Sequence, residues 1–206
     1  MTYSPTVIPL PSDQSDQAGE VLGRAFADDP LMSFWLPEPT QRHKHVPRLM
    51  HFVVRYSLIY GIVETTSQGD GIACWLPPGE VNYHYGSLLR TGWLPIPFHS
   101  GLRNYARMLI NDDHAHLMRH RLCPGLHWYL WALGVEPAHQ GQGIGGRLLA
   151  AGLERVDIQG LPCYLETHNL RNLPIYQHYG FEVAEESTVP GYMQHIWGML
   201  RPAQGN

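Results

Sequence analysis

The chain is poor in cysteine and in charge, and it has no long apolar run. Each shortage removes a class of protein. Among its 206 residues the cysteines are three, Cys74, Cys123 and Cys163. An odd number, widely spaced and each near apolar residues, reads as buried thiols of a reducing compartment, not as a disulfide frame or a zinc site. Charged residues make up 16%, and Lys+Arg at 14 fall below Asp+Glu at 18, for a net charge of −4 with histidine neutral. No basic run occurs, so nucleic acid is not an expected partner. No apolar stretch approaches about 18 residues, so no membrane span is expected. The opening MTYSPTVIPL has no charged segment ahead of an apolar core, so no signal peptide is expected and the cytoplasm is the default location. No linker, repeat or low-complexity tract interrupts the pattern. With 44% hydrophobic residues, the expectation is one globular domain spanning 1–206.

What is abundant is histidine, 13 in all. His116 and His120 are four apart and share a helix face, as a metal pair would. No Glu follows His116 and no third ligand is evident, so the metalloprotease pattern is missing and no metal site is expected. The histidines read instead as exposed polar positions.

The densest signal is Leu130–Leu149, LWALGVEPAHQGQGIGGRLL. The apolar run Trp128 to Val135 has the length and composition of a strand. Glu136-Pro137 ends it, because Pro137 donates no ladder hydrogen bond. Arg147–Val156 then follows a helical pattern. A helix that begins just after glycines points its free N–H groups into the glycine loop, which makes a site for an anion, most often a phosphate. Glycines let the phosphates reach the backbone and permit φ > 0. Gly141, Gly143 and Gly146 spell G-x-G-x-x-G, with Glu166 about 20 residues on, as in the dinucleotide fingerprint. Placement argues against that reading. Glu136–Gln140 separate the strand from the first glycine, and the roughly 40 residues after Glu166 are too few for the remaining β-α units.

The alternative pattern is Q-x-x-G-x-G, met by Gln140, Gly143 and Gly145 after a strand ending in Gly134-Val135. Further on, Asn169, Asn172, Tyr176, Gly180 and Phe181 give N-x-x-(A/N)-x-x-x-Y-x-x-x-G-F. Two such motifs in this order, separated by a strand, resemble the two signatures of the GNAT superfamily of N-acetyltransferases. Within it the chain looks most like the puromycin acetyltransferase-like branch. That likeness is carried by Ala25–Pro30, Ala73-Cys74-Trp75, Leu165-Glu166-Thr167 and Arg171–Tyr176, and it is weak over Glu80–His120.

The resemblance implies an α/β (α+β) fold: a mixed, mostly antiparallel central sheet flanked by helices, with its two central strands splayed apart. It implies acetyl-CoA as cofactor. The pyrophosphate would rest on backbone N–H groups of Gln140, Gly141, Gln142, Gly143, Ile144, Gly145 and Gly146, helped by the helix macrodipole. Arg147 either adds charge there or points to solvent. The pantetheine arm would pair with the strand edge at Leu133, Gly134 and Val135, as an added strand does. Tyr176 matches the tyrosine that protonates the departing thiolate, and Asn172, with Asn169 second, matches the cofactor-contacting asparagines. Tyr129 falls where some relatives carry a carboxylate or histidine. That leaves Glu166 as first candidate for the base and His127 as second.

In chain order, Thr6–Leu10 reads as a first strand. A helix through Ala18, Val21, Leu22, Ala25 and Phe26 follows, capped by Ser12 or Asp13 and ended by Asp28-Asp29-Pro30. Leu31–Leu36 is a possible short helix, either acceptor-pocket lining or core. Thr40–Tyr56 is helical, with its regular part starting at Pro47. Leu58–Thr65 and Ile72–Leu76 form a hairpin across Gly69-Asp70-Gly71. Glu80–His120 holds two helices, Tyr83–Leu89 and about Leu102–Met118. As an insert it suits acceptor specificity, with Tyr83, Tyr85, Trp93, Phe98 and Tyr105 as aromatic pocket or core. Cys163–Thr167 is a strand and Asn172–Tyr179 a short helix capped by Gly180. Phe181–Ala184 and Tyr192–Leu200 form a closing antiparallel pair, the latter an edge able to join subunits. The expected activity is acetyl transfer to the amine of a small molecule or peptide by a monomer or homodimer. A non-catalytic acyl-CoA-binding module is the alternative.

Overall fold

The computed structural model describes residues 6–82 and 101–204. Its strands are β1 (Val7–Pro9), β2 (Ile62–Thr66), β3 (Gly71–Leu76), β4 (Trp128–Val135), β5 (Cys163–Thr167), β6 (Glu182–Thr188) and β7 (His195–Arg201). Its helices are α1 (Ser15–Phe26), α2 (Pro30–Trp35), α3 (Pro39–Tyr60), α4 (Leu102–Leu122), α5 (Ile144–Ile158) and α6 (Leu173–His178). The strands form a single sheet in the order β1-β2-β3-β4-β5-β7-β6. Every neighbouring pair is antiparallel except β4–β5. This is the mixed, mostly antiparallel central sheet flanked by helices that the resemblance implies.

The sheet is covered on both faces. Along β3, Ile72, Cys74 and Leu76 join the core under α1 and α3, while Ala73 and Trp75 join the core under α5. A strand buried on both sides loses the polar half of its alternation, which is why Ile72–Leu76 reads as a continuous apolar run. Contacts between α1 and α3 are close because glycines line the crossing. A Cβ on Gly19 would overlap the His51 ring, and one on Gly23 would lie 2.7 Å from Pro47 Cα. That crossing explains one departure from expectation. The helix does not start at Pro47 but runs through it from Pro39. The N–H that Pro47 lacks is offset by packing on α1.

Other expectations shift for local reasons. Leu58–Tyr60 belong to α3, and the strand begins only after Gly61, where a Cβ would overlap the Trp75 carbonyl. Neither Ser12 nor Asp13 caps α1; the two lie in a 3-10 turn, Ser12–Gln14, and α1 has no side-chain cap. The expected helix at Tyr83–Leu89 lies outside the described residues, as do Tyr85, Trp93 and Phe98. β7 lies between β5 and β6, so among the described residues the sheet's edges are β1 and β6. The strand within Tyr192–Leu200, expected as an edge, is an interior strand paired on both sides.

The β4–β5 pair positions the site. Parallel strands need a crossover, here α5, so the helix starts where β4 ends. Pairing is limited to Trp128↔Cys163 and Tyr129↔Tyr164. Beyond that, β4 stays on β3 as far as Val135↔Gly71, and β5 stays on β7 as far as Thr167↔Trp197. Each strand keeps its outer partner while the inner edges part, so the sheet opens as a wedge.

The tight seat of α5 on β3 has a measurable consequence. A Cβ on Gly152 would overlap the Trp75 indole, whereas one on Gly125 meets nothing within 4 Å. Gly152→Ala should destabilise by about 1–3 kcal/mol, as overpacking does. Gly125→Ala should stay within about 0.5 kcal/mol of wild type in urea unfolding.

Candidate active site

The wedge opens towards the start of α5. Gly143, its N-cap, has φ 76° and ψ 7°, and no side chain caps the helix. Gly141 is also left-handed, at φ 75°, and a Cβ there would meet nothing. At these two positions glycine is required by backbone conformation, not by crowding. Gly146 differs: a Cβ would overlap the Tyr179 hydroxyl. The first-turn N–H groups of α5 have no carbonyl within the helix to bind. Together with the macrodipole they form a cradle that fits a pyrophosphate. Two side chains hold the loop. Arg147 donates from Nη2 to the Gln142 carbonyl at 3.3 Å, and Gln140 donates from Nε2 to the Val135 carbonyl at 3.1 Å. The side chain of Gln140 thus fastens the loop to the end of β4. Glu136 adds a second anchor through Arg24 at 2.7 Å, and His139 a third through Asp70 at 3.2 Å.

Below the loop, between the parted strands, is a cavity of about 150 Å³. Leu133, Glu166, Asn172 and Tyr176, all singled out from sequence, line it. Leu31, Met32 and Trp35 of α2 line it too, so this short helix forms pocket wall, with Met32 also buried in the core. α4 supplies Met108, Asn111, Ala115 and Arg119. The insert therefore does reach the cavity, although Tyr105 packs against the core instead.

Glu166 projects from β5 into a network. The Tyr129 hydroxyl donates to Glu166 Oε1 at 2.5 Å, while Oε2 has no hydrogen-bond partner among the described residues. The Arg119 guanidinium lies 4.7 Å from the centroid of the Tyr129 ring and donates to the Val81 carbonyl at 2.9 Å. Burial raises the Glu166 carboxyl above the ordinary carboxylate range, against the pull of Arg119 and the Tyr129 hydroxyl, with Asp112 adding to the rise. An elevated carboxylate with one free oxygen is chemically a proton acceptor. Tyr176 is also displaced upwards, by burial and then by Asp29, so its hydroxyl keeps its proton.

Asn169 and Asn172 are held by the turn that leads into α6. Asn172 Nδ2 donates to Thr167 Oγ1 at 3.4 Å, and Asn169 Oδ1 accepts from the Arg171 N–H at 3.1 Å. His127 stands apart from these groups. It lines a second cavity with His120 and Cys123, its Nδ1 lies 2.7 Å from the Gly125 carbonyl, and burial lowers its pKa. Asp29, Arg119 and His168 are among the lining residues not singled out for chemistry from sequence. Asp29 caps α2 through Leu31 N–H at 2.9 Å and is raised by burial. Arg119 lies on α4, far before β5 in sequence, with no motif to mark it. His168, bonded to Asn111 Oδ1 at 2.8 Å, is pushed down to about 3 by burial and by His114, so it is neutral. The only cue to it in sequence is its place just after Glu166-Thr167.

Residues 101–183 match the model of the acetyltransferase (GNAT) domain. An uncharacterized N-acetyltransferase of Schizosaccharomyces pombe is 29% identical over 173 residues, covering 80% of this chain and 69% of that one. The crystal structure of "histone acetyltransferase HPA2 and related acetyltransferase" from Corynebacterium glutamicum superposes with a TM-score of 0.69 at 20% identity, covering 99% of both chains. That of arylalkylamine N-acetyltransferase 2 from Aedes aegypti gives 0.64 at 13% identity, covering 98% of this chain and 100% of that one.

The raised Glu166 has a stability signature. The folded state binds its proton more tightly than the unfolded chain does. Its contribution is therefore fully present below the ordinary carboxylate pKa of about 4.3 and is lost as pH rises through the elevated value. Glu166→Gln should raise the thermal midpoint at pH 7, with the gap to wild type closing as pH falls below about 4. An unchanged or lowered midpoint at pH 7 would contradict this account of the carboxylate.

Proposed function

We propose that this chain is an N-acetyltransferase of the GNAT superfamily, with Glu166 as general base and Tyr176 as general acid. The observation that carries the reading is the placement of these two groups on one cavity, where β4 and β5 part below the uncapped start of α5. The domain match over 101–183 and the shared fold support it. The likeness to the puromycin acetyltransferase-like branch rests on the sequence segments alone. When bound, acetyl-CoA supplies the thioester whose carbonyl carbon an amine attacks.

The chain's own residues would do the rest. Backbone N–H groups of 141–146 hold the pyrophosphate with charge-assisted bonds, stronger than neutral ones. The inner edge of β4 at Leu133–Val135, which does not pair with β5, would orient the pantetheine arm, and its free N–H groups would be the donors for the developing oxyanion. Glu166 accepts the ammonium proton and makes the nitrogen nucleophilic. Tyr176 donates its proton to the leaving sulfur, whose thiol has a pKa of about 8.5 and so benefits from a partner near neutral pH. Asn172, held on Thr167, lies at the same wall.

Calorimetric titration with acetyl-CoA, paired with release of free thiol on an amine panel, tests this. Wild type should bind and turn over. Gly143→Asp should abolish binding, because it adds a side chain and a negative charge at a left-handed position of the cradle. Tyr176→Phe and Glu166→Gln should each lower kcat about 100-fold or more while leaving the affinity for acetyl-CoA within about threefold. Binding without turnover on any amine would make the chain an acyl-CoA-binding module. No binding by folded wild type would end the transferase reading.

A further inference from the structure

His116 and His120, four apart on α4, do share a helix face, with ring centroids 6.3 Å apart. Arg119 stands with them and donates from Nη2 to His116 Nδ1 at 3.2 Å. A guanidinium this close repels a divalent cation, and its bond takes one ring nitrogen of His116 as acceptor. When the ring is neutral its proton therefore sits on Nε2, which donates. Among the described residues no group of three histidine, cysteine or carboxylate side chains could hold a metal ion. The pair is arranged to meet negative charge.

His116, Arg119 and His120 line the second cavity with His127, and its volume is about 390 Å³. That is within the range of small-molecule sites. Among the described residues none of its lining groups is Asp or Glu. The segment 83–100, which follows the lining residue Asn82, has no Asp or Glu in its sequence either. This cavity thus runs against the chain as a whole, where 18 acidic residues outnumber 14 Lys and Arg. Two of its basic groups are out of water, Arg119 at 6% exposure and His127 at 5%. After burial, Arg119 and His120 each push the His127 pKa down, so the basic groups act on one another.

A buried cation is costly unless it is paired. Arg119 and His116 also line the first cavity, and there the Arg119 charge acts on Glu166. On the side of the second cavity the lining offers Arg119 a carbonyl, that of Val81, and imidazoles, but no carboxylate. We infer that the second cavity binds a small oxyanion, a phosphate or a carboxylate, held by the charge of Arg119 and by imidazole N–H groups of His116 and His120. This site is separate from the cradle at α5. His127 precedes β4 and Val135 ends it, and the 8 residues of that strand, at about 3.3 Å each, put about 26 Å between its ends. The inference does not depend on the acetyl-transfer reading.

Histidine side-chain NMR of the full chain, titrated with sodium phosphate and separately with sodium succinate at fixed pH and ionic strength, tests this. At least one of the two should move the signals of His116, His120 and His127 saturably, with a Kd of about 1 mM or tighter. The tighter of the two identifies the group the site takes, and His43 and His195 should stay in place. His120→Glu puts a negative charge at an exposed position of the lining and should weaken binding about tenfold or more, with the wild-type thermal midpoint kept. His43→Glu makes the same change of net charge at an exposed position of α3 and should leave binding within about twofold. Shifts that stay linear, or that all histidines share, would overturn the inference. So would equal weakening by the two variants, or loss of the shifts under saturating coenzyme A, which would put the anion in the cradle. Stoichiometric zinc binding at His116 and His120, with no response to either anion, would overturn it too.

Discussion

Everything at the candidate site depends on how short the β4–β5 ladder is. Two registered pairs join the strands, after which each follows its outer neighbour. An interior strand edge with unsatisfied N–H and C=O groups is normally unfavourable. Here it is opened at the carboxyl ends of the strands, where ligands bind in open α/β sheets. Because the pair is parallel, the crossover helix must start at that same end. One topological fact thus brings together an edge able to pair with an extended arm and a helix N-terminus able to hold an anion. The anchors of the intervening loop, Glu136 on Arg24 and Gln140 on the Val135 carbonyl, keep that helix start close to the opening.

The second constraint is the buried charge of Glu166. A carboxylate taken out of water must be neutralised, paired or hydrogen-bonded. Glu166 is served by Tyr129 through a hydrogen bond and by Arg119 through charge, and Arg119 also stacks on Tyr129. This arrangement keeps the group ionisable while leaving one oxygen for a ligand. On the proposed reading, Glu166 on the neighbouring strand takes the part of the base and Tyr129 holds it by a hydrogen bond, so the position of Tyr129 itself need not carry one. His127, two residues earlier and just before β4 begins, faces a different cavity, which it lines with His120 and Cys123.

Much of this is legible in the sequence, for identifiable reasons. β4 has the bounds read from its apolar run, Trp128 to Val135, because Pro137 and the glycines behind it are local signals. The loop glycines announce their conformations, and the structure finds Gly141 and Gly143 left-handed. Tertiary juxtaposition is not legible. Pro47 sits within a helix because Gly19 and Gly23, on another helix, make room for α3. Trp35, Arg119 and Asn111 reach the cavity from α2 and α4, whose docking is set by contacts distant in sequence. The order β5-β7-β6 was equally hidden, since two antiparallel strands read in sequence do not say which lies inside.

The central claim is that the parted edge of β4 and the cradle at the start of α5 together receive the cofactor. Backbone amide hydrogen exchange with and without coenzyme A tests it most directly, because it reads N–H groups residue by residue. The account predicts new protection confined to Leu133–Val135 and to 141–146, with the buried ladder of β3 unchanged. Protection arising elsewhere, or on the loop without the strand edge, would contradict it.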